Sequence, residues 1–169
     1  MTTANGSSTA RIPVGIGQLS VSKDPDASLV AYGLGSCIGI TAYDPTAGVS
    51  GLVHILLPAS GGKRLVADEP ARFADTGIVA FLERLTAEGA LKTRLVIKVA
   101  GGASVLGKDN AEKFKIGDRN AEAVQEQLAK HGLRTAAHDT GGEKGRTLEI
   151  QVSSGKTFVR LAASSAREF

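Results

Sequence analysis

Residues 37–58 read CIGITAYDPTAGVSGLVHILLP, and this stretch decides how the rest of the chain can fold. Apolar runs at 37–43 and 52–57 flank an Asp-Pro turn, a pattern typical of two strands joined as a β-hairpin. The hairpin brings Cys37, at the start of the first strand, towards His54 on the second. The sequence therefore predicts that the only thiol of the chain lies near an imidazole.

The register of this hairpin is open at the level of sequence. A tight turn centred near Pro45-Thr46 places Cys37 directly opposite His54. A longer loop through Ser50 offsets the two residues by about three positions, roughly 10 Å along a strand. Contact between the thiol and the imidazole is thus an expectation that the structure has to test.

The residues before the cysteine suggest a nucleophile. Cys37 ends the glycine-rich loop Gly33-Leu34-Gly35-Ser36-Cys37, whose amide groups at Gly35, Ser36 and Cys37 are candidate donors to an oxyanion. A histidine can take the thiol proton and stabilise the thiolate, which predicts a lowered pKa for Cys37. The alternative is that a lone cysteine is a small buried apolar residue.

Composition excludes several classes of protein. The 169 residues are 42% hydrophobic and 22% charged, as in a single globular domain, and the net charge of +3 is mild. Scattered basic residues and few aromatics argue against nucleic acid as a partner, and no run of about 18 apolar residues predicts membrane insertion. The glycine loops lack a Walker lysine and the histidines lack ligand spacing, so neither cofactor nor metal is expected. A single cysteine fits a reducing cytoplasm.

The periodicity along the chain predicts one α+β domain over 11–163, between a disordered tail at 1–10 and a C-terminal tail at 164–169. One strand bent at a glycine is expected over 12–21. Helices are expected over 70–88, with Pro70 in the first turn, and from Asp118 as cap to His131. Further strands are expected at 28–32, 94–99, 133–138, 147–152 and 157–161, the last two joined by a two-residue turn at Ser154-Gly155.

These motifs together resemble the CheD family, the chemoreceptor glutamine deamidases. The resemblance covers about residues 12–162, in order and with compatible spacing. It is carried by Gly33–Cys37, Asp44-Pro45, His54, Leu57-Pro58, Ser60-Gly61-Gly62, Ala74-Asp75, Ala100-Gly101-Gly102-Ala103-Ser104, Ile116-Gly117, Arg119-Asn120 and Asp139-Thr140-Gly141-Gly142.

The resemblance implies a layered sandwich of helices on two stacked β-sheets, related to bacterial cysteine deamidase toxins. It implies hydrolysis of receptor glutamine amides to glutamates in bacterial or archaeal chemotaxis, with Cys37 as nucleophile and His54 as base. The third catalytic position of the family is a threonine, and Ala31 stands there in this chain. We therefore expect a backbone carbonyl near Ala31 to hold the second ring nitrogen of His54.

The partners implied are the cytoplasmic helices of methyl-accepting chemotaxis receptors and the phosphatase CheC. Two other functions stay open: a cysteine hydrolase acting on receptor methyl esters, and a CheC-binding regulator without catalysis. A shallow rim around Cys37 is expected to receive the receptor helix. Its candidate residues are Gly61, Gly62, Gly101, Gly102, Ala103, Ser104, Thr140, Gly141 and Gly142.

Overall fold

The computed structural model describes residues 9–105 and 111–169. Residues 1–8 of the expected N-terminal tail lie outside this part of the chain. The strands are β1 Ala10–Pro13, β2 Leu19–Ser22, β3 Ala27–Leu34, β4 Ile38–Asp44, β5 Val49–Ile55, β6 Val96–Gly101, β7 Thr135–Thr140, β8 Arg146–Gln151, β9 Thr157–Leu161 and β10 Arg167–Glu168. The α-helices are α1 Ala74–Ala87 and α2 Ala111–Lys130, and a short 3₁₀ helix spans Lys92–Arg94.

The strands form two stacked five-stranded sheets. Sheet I has the order β1-β3-β8-β9-β10, and sheet II has the order β2-β5-β4-β6-β7. Both sheets mix parallel and antiparallel pairs: β1 is parallel to β3 and β7 to β6, while the other neighbours are antiparallel. The two helices pack on the face of sheet II that points away from sheet I. The expected α+β layered sandwich is confirmed.

Two apolar clusters hold these layers together, and sheet II contributes to both because its central strands are buried on both faces. One face of β4 and β5 packs against the helices, with Ile40, Val53 and Phe81 fully buried. The opposite face packs against sheet I through residues such as Leu52 and Leu148. Each fully buried side chain of this size stabilises the fold by roughly 1.5–3 kcal/mol. Cys37 belongs to the second cluster, between the sheets.

The expectation of one bent strand over 12–21 is wrong. Residues 10–13 form β1 in sheet I, and residues 19–22 form β2 in sheet II. The chain crosses between the sheets at residues 14–18, where Gly17 adopts a φ of 76° that favours glycine. Both halves alternate in the same way, and alternation does not tell which sheet a strand joins. This crossing positions part of the candidate site.

The helices and one turn also differ from expectation in their ends. Helix α1 begins four residues after Pro70, because Phe73 is still extended and its backbone bridges to Leu57. Helix α2 begins before Asp118, so this residue lies inside the helix and does not cap it. The connection from β8 to β9 spans 152–156, which is longer than the expected two-residue turn.

The β4–β5 hairpin is confirmed, and its register lies between the two alternatives. Asp44 pairs with Val49, so a four-residue connection joins the strands. Gly39 is then the residue opposite His54, two positions after Cys37. Cys37 and His54 are diagonal neighbours on one face, for which Cα atoms lie typically about 7–8 Å apart.

The C-terminal residues extend sheet I. Strand β10 pairs with β9, and Arg167 forms an ion pair with Asp139 on β7 of the other sheet. The final residue, Phe169, packs against the cluster between the sheets. The segment expected as a tail from residue 164 therefore contacts the edges of both sheets.

Candidate active site

The loop that carries Cys37 is held in place through its carbonyl groups. The carbonyl oxygen of Gly35 accepts a hydrogen bond from Ala103 N–H at 2.7 Å, and that of Cys37 accepts one from Gly102 N–H at 2.9 Å. The carbonyl of Ser36, between them, accepts a hydrogen bond from Asn120 Nδ2 at 2.9 Å. The carbonyls of residues 35–37 are thus each fixed by a different donor.

The amide groups of the same loop are arranged in the opposite way. Within the described part of the chain, the N–H groups of Gly35 and Ser36 donate to no acceptor. Both residues are half-buried, next to a Cys37 side chain that is 6% exposed. Free amide donors beside a thiol are the groups that can stabilise an oxyanion.

The imidazole of His54 is fixed by a main-chain carbonyl. His54 Nδ1 lies 3.0 Å from the carbonyl oxygen of Val14, in the segment that crosses between the sheets. A carbonyl only accepts hydrogen bonds, so this contact assigns the proton to Nδ1 and leaves a lone pair on Nε2. Nε2 is buried and has no hydrogen-bond partner among the described residues. The ring is therefore arranged as a base.

We expected a backbone carbonyl near Ala31 to accept from His54, and the acceptor is indeed a backbone carbonyl, that of Val14. Val14 N–H in turn donates to the carbonyl of Val30, the residue before Ala31. Ala31 itself is fully buried on β3, opposite Leu148, and its side chain packs in the cluster between the sheets. The imidazole therefore has a hydrogen-bond partner even though position 31 carries no hydroxyl group.

The charge states of the two side chains differ from expectation. Burial raises the pKa of the Cys37 thiol above its ordinary value of 9.0, although its own backbone N–H partly offsets this. Burial also lowers the pKa of His54 below 6.5, against the smaller opposite effect of the Val14 carbonyl. The expected lowered pKa of Cys37 is wrong for this structure, because desolvation disfavours both ions. At neutral pH the site holds a thiol and a neutral imidazole.

Two of the three expected rim segments meet next to Cys37. Ser104 N–H donates to the carbonyl of Gly142, and Gly141 N–H donates to that of Gly101, so the loops at 101–104 and 140–142 are joined. The segment at 101–104 is not the exposed rim that we expected, since Gly101, Gly102 and Ala103 are buried.

The glycines of this segment are required by close backbone packing. Gly101 has a φ of 122°, and a Cβ atom there would collide with the carbonyl oxygen of Cys37. Gly102 has a φ of 66°, and its Cβ would lie 2.9 Å from the carbonyl oxygen of Gly117 on α2. Gly101 therefore lies against the backbone of Cys37, and Ser104 and Val105 are the residues of this segment that reach the surface.

The remaining rim segment, Gly61-Gly62, is exposed and is anchored separately. Gly61 and Gly62 have positive φ angles and open space around their Cα atoms. The preceding Ser60 donates from both its amide and its hydroxyl to the carboxylate of Asp75, in the first turn of α1. The segment follows β5 and so leaves sheet II at the end where His54 lies.

Two buried polar residues of the site were missed as site residues by sequence reasoning. Arg146 is buried and donates to the carboxylate and the carbonyl of Asp139 and to the carbonyl of Gly141, which fixes the loop at 140–142. Asn120 holds the loop of Cys37. A signal existed for Asn120, because it lies four and eight residues before Val124 and Leu128 on the buried stripe of α2.

The described residues contain no group of three His, Cys, Asp or Glu side chains arranged to hold a metal ion. Among these residues, no helix has the length and apolar character needed to cross a membrane.

A family profile described as CheD chemotactic sensory transduction matches residues 56–161 of this chain. A probable chemoreceptor glutamine deamidase CheD from Symbiobacterium thermophilum is 41% identical over 156 residues, 92% of this chain and 94% of the relative. The chemoreceptor glutamine deamidase CheD of Thermotoga maritima is 41% identical over 147 residues, 87% and 89% of the two chains. The first of these relatives leaves 13 residues unmatched, so its match spans Cys37 and His54 as well.

Two solved structures are similar at a lower level. The hypothetical protein YfiH of Bacillus licheniformis has a TM-score of 0.44 and 12% identity, over 72% of this chain and 49% of its own. The C-terminal domain of CNFy from Yersinia pseudotuberculosis has a TM-score of 0.41 and 8% identity, over 94% and 62%. Similarity at this level carries no argument, and the expected relation to deamidase toxins stays a prediction.

Proposed function

This chain belongs to the CheD family, and we propose that it is a chemoreceptor glutamine deamidase with Cys37 as nucleophile and His54 as general base. The substrate is a glutamine side chain on a receptor helix, and the products are a glutamate and ammonia. One observation carries the proposal. His54 donates from Nδ1 to Val14, so its Nε2 lone pair has no partner among the described residues, and the register of the hairpin makes Cys37, the only thiol of the chain, its diagonal neighbour.

The first half of the reaction forms a thioester. His54 Nε2 takes the proton of the Cys37 thiol as the sulfur attacks the amide carbon of the glutamine. The carbonyl oxygen becomes an oxyanion, and the N–H groups of Gly35 and Ser36, which have no acceptor among the described residues, are the donors that stabilise it. The carbon–nitrogen bond then breaks, and the imidazolium returns its proton to the nitrogen, which leaves as ammonia.

The second half regenerates the thiol. His54 takes a proton from water, whose oxygen attacks the thioester carbon, and the same amide donors stabilise the second oxyanion. The carbon–sulfur bond breaks, and the sulfur takes the proton from His54. The product is a carboxylic acid, which loses its remaining proton to solvent, so that the receptor then carries a carboxylate. The Val14 carbonyl stabilises the imidazolium in both halves, because it accepts from Nδ1 throughout.

The proposed partners follow from membership of the family. The cytoplasmic helices of methyl-accepting receptors are the substrate, and the phosphatase CheC is a second partner. The proposed place of action is therefore the cytoplasm, where a reduced thiol persists. The end of the sandwich that carries residues 35–37 and 140–142 is the proposed contact surface, because a receptor side chain must reach Cys37 there.

The proposal is tested by the release of ammonia from purified receptor cytoplasmic fragments. We expect the wild-type chain to release one ammonia for each converted glutamine, with a mass increase of about 1 Da from amide to acid. Cys37→Ser should abolish release and leave thermal unfolding nearly unchanged, because the hydroxyl replaces a thiol of similar size. A fragment with glutamate at the target position is the control. Undiminished release by Cys37→Ser would overturn the role of the thiol.

One observation favours the alternative of a CheC-binding regulator without catalysis. Burial opposes both the thiolate and the imidazolium, so the ion pair of a resting cysteine hydrolase is absent. Deamidation then requires proton transfer when substrate is bound. Binding of CheC together with no ammonia release from several receptors would support the alternative. Release of methanol from methylated receptors would instead support the methyl esterase.

A further inference from the structure

Asn120 is the only side chain that the described structure shows bonded to both backbone segments of the candidate dyad. It lies on α2 and is completely buried. Its Nδ2 donates to the carbonyl oxygen of Ser36 at 2.9 Å and to that of Leu56 at 2.9 Å. Ser36 directly precedes the nucleophile, and Leu56 follows the base by two residues.

These two carbonyls lie just beyond the end of the β4–β5 ladder. The last pair of that ladder is Ile38 with Ile55, after which the two strands no longer hydrogen-bond to each other. Asn120 contributes the next connection between them, from a third element. Beyond the ladder, this carboxamide is the side-chain link between the loop of Cys37 and the end of β5 in the described part of the chain.

The orientation of this carboxamide is determined by its partners. Both partners of Nδ2 are carbonyl oxygens, which only accept, so exchange of the nitrogen and oxygen atoms would place Oδ1 against two acceptors. Oδ1 is buried and has no partner in the described part of the chain. A buried polar side chain with both donors used on the site and an unused acceptor is not explained by packing alone.

Helix α2 is itself held against the site one turn earlier. Gly117 lies three residues before Asn120, on the same side of the helix. A Cβ atom at Gly117 would lie 2.5 Å from the carbonyl oxygen of Gly102, so the helix and the loop at 101–104 touch through their backbones. The part of α2 that carries Asn120 is thus fixed against the loop at 101–104, so Asn120 can define the position of the loop of Cys37.

We infer that Asn120 is a positioning residue for the deamidation, which holds the segment of Cys37 and the segment of His54 at a fixed separation. The inference rests on the proposed function. Removal of the carboxamide frees the Ser36 carbonyl, and the oxyanion donors and the thiol then shift relative to Nε2. A displacement of about 1 Å can lower a catalytic rate by about a hundredfold.

The test compares Asn120→Ala with Val124→Ala, a matched control. Val124 is one turn further along α2, equally buried, and packs in the cluster between the helices and sheet II. Both variants shorten a buried side chain of the same helix, and only the first changes the site. For each folded variant, kcat and KM for ammonia release are measured together with the rate of Cys37 alkylation by iodoacetamide.

We expect Asn120→Ala to lower kcat at least thirtyfold with KM changed less than threefold. The same variant should raise the alkylation rate several-fold, because a released loop exposes the thiol. Val124→Ala should change neither quantity by more than threefold. A loss of stability alone would also lower turnover and expose the thiol, so the variants are compared at a temperature where both are fully folded, and Val124→Ala controls for lost stability. A folded Asn120→Ala with wild-type kcat and alkylation would overturn the inference.

A second variant covers the case in which Asn120→Ala does not fold. Asn120→Ser keeps one hydroxyl donor, and its kcat and alkylation rate should lie between those of the wild type and of a fully released loop. Wild-type values for both would contradict the inference. Alkylation needs no receptor, so it tests Asn120 even if the wild type releases no ammonia. That last result would refute the proposed function, and the alkylation comparison would still decide whether Asn120 holds the loop.

Discussion

Replacement of Ala31 by threonine is a direct test of how the imidazole is oriented. The resemblance to the family implies a threonine at this position, where this chain has Ala31. The structure shows that His54 Nδ1 already donates to the Val14 carbonyl at 3.0 Å. The only proton on the ring is therefore in use. A threonine hydroxyl at position 31 could therefore not accept a hydrogen bond from His54, because the ring has no other N–H group.

The expected magnitudes follow from burial. Ala31 is 0% exposed, inside the cluster between the sheets, and threonine adds two heavy atoms there. Additional atoms in a packed core typically cost about 1–3 kcal/mol of unfolding free energy. For a chain of this size, that corresponds to a fall in Tm of roughly 2–12 °C. The expected change in kcat is less than twofold, about 0.4 kcal/mol of barrier.

The assay pairs Ala31→Thr with Ala31→Val, which has the same shape and lacks the hydroxyl. Both variants should lose stability in thermal unfolding, and threonine should lose at least as much as valine because its hydroxyl is buried in an apolar cluster. Their rates of ammonia release at saturating receptor fragment should agree within twofold. The difference between threonine and valine isolates the hydroxyl from the added volume.

A large gain by Ala31→Thr alone would refute this reasoning. A hundredfold increase in kcat, about 2.7 kcal/mol, would mean that the threonine hydroxyl orients His54 far better than the Val14 carbonyl. The natural chain would then be a weakened catalyst. A gain by both variants would instead show that volume at position 31, and not a hydrogen bond, limits the rate.

Two further predictions concern stability. Gly101→Ala should lower the free energy of unfolding by at least about 2 kcal/mol, because the new Cβ collides with the carbonyl of Cys37. Gly61→Ala lies in open space and should lose only about 1 kcal/mol, from its positive φ alone. Equal losses of the two variants in urea titrations would contradict this prediction. Burial lowers the pKa of His54 from 6.5, so the folded chain binds fewer protons than the unfolded chain. Stability should therefore fall as pH drops below about 6.5, and more steeply than in His54→Gln; parallel pH profiles of the two chains would exclude this assignment.

Much of the site was predictable because its signals are local. The Gly-Leu-Gly-Ser-Cys loop and the two apolar runs around Asp44-Pro45 predict a hairpin with Cys37 at its start and His54 on its return strand. Asn120 lies on a helix more than eighty residues away from Cys37, so no local pattern connects the two. Arg146 begins β8, and it contacts residues 140–142 only because the turn between β7 and β8 brings them together.

The α+β class and the hairpin could be read from the sequence, since they depend on alternation and turn chemistry between neighbours in the chain. The glycine loop and the hairpin also pointed to Cys37 and His54 as candidates for nucleophile and base. The division of residues 12–21 between two sheets, which brings the Val14 carbonyl to His54, depends on the tertiary fold. The directions in which the pKa values of Cys37 and His54 shift depend on the tertiary fold as well. A pKa depends on how much water the whole fold excludes, and the burial of Cys37 and His54 between two sheets is the sum of contacts distant in sequence.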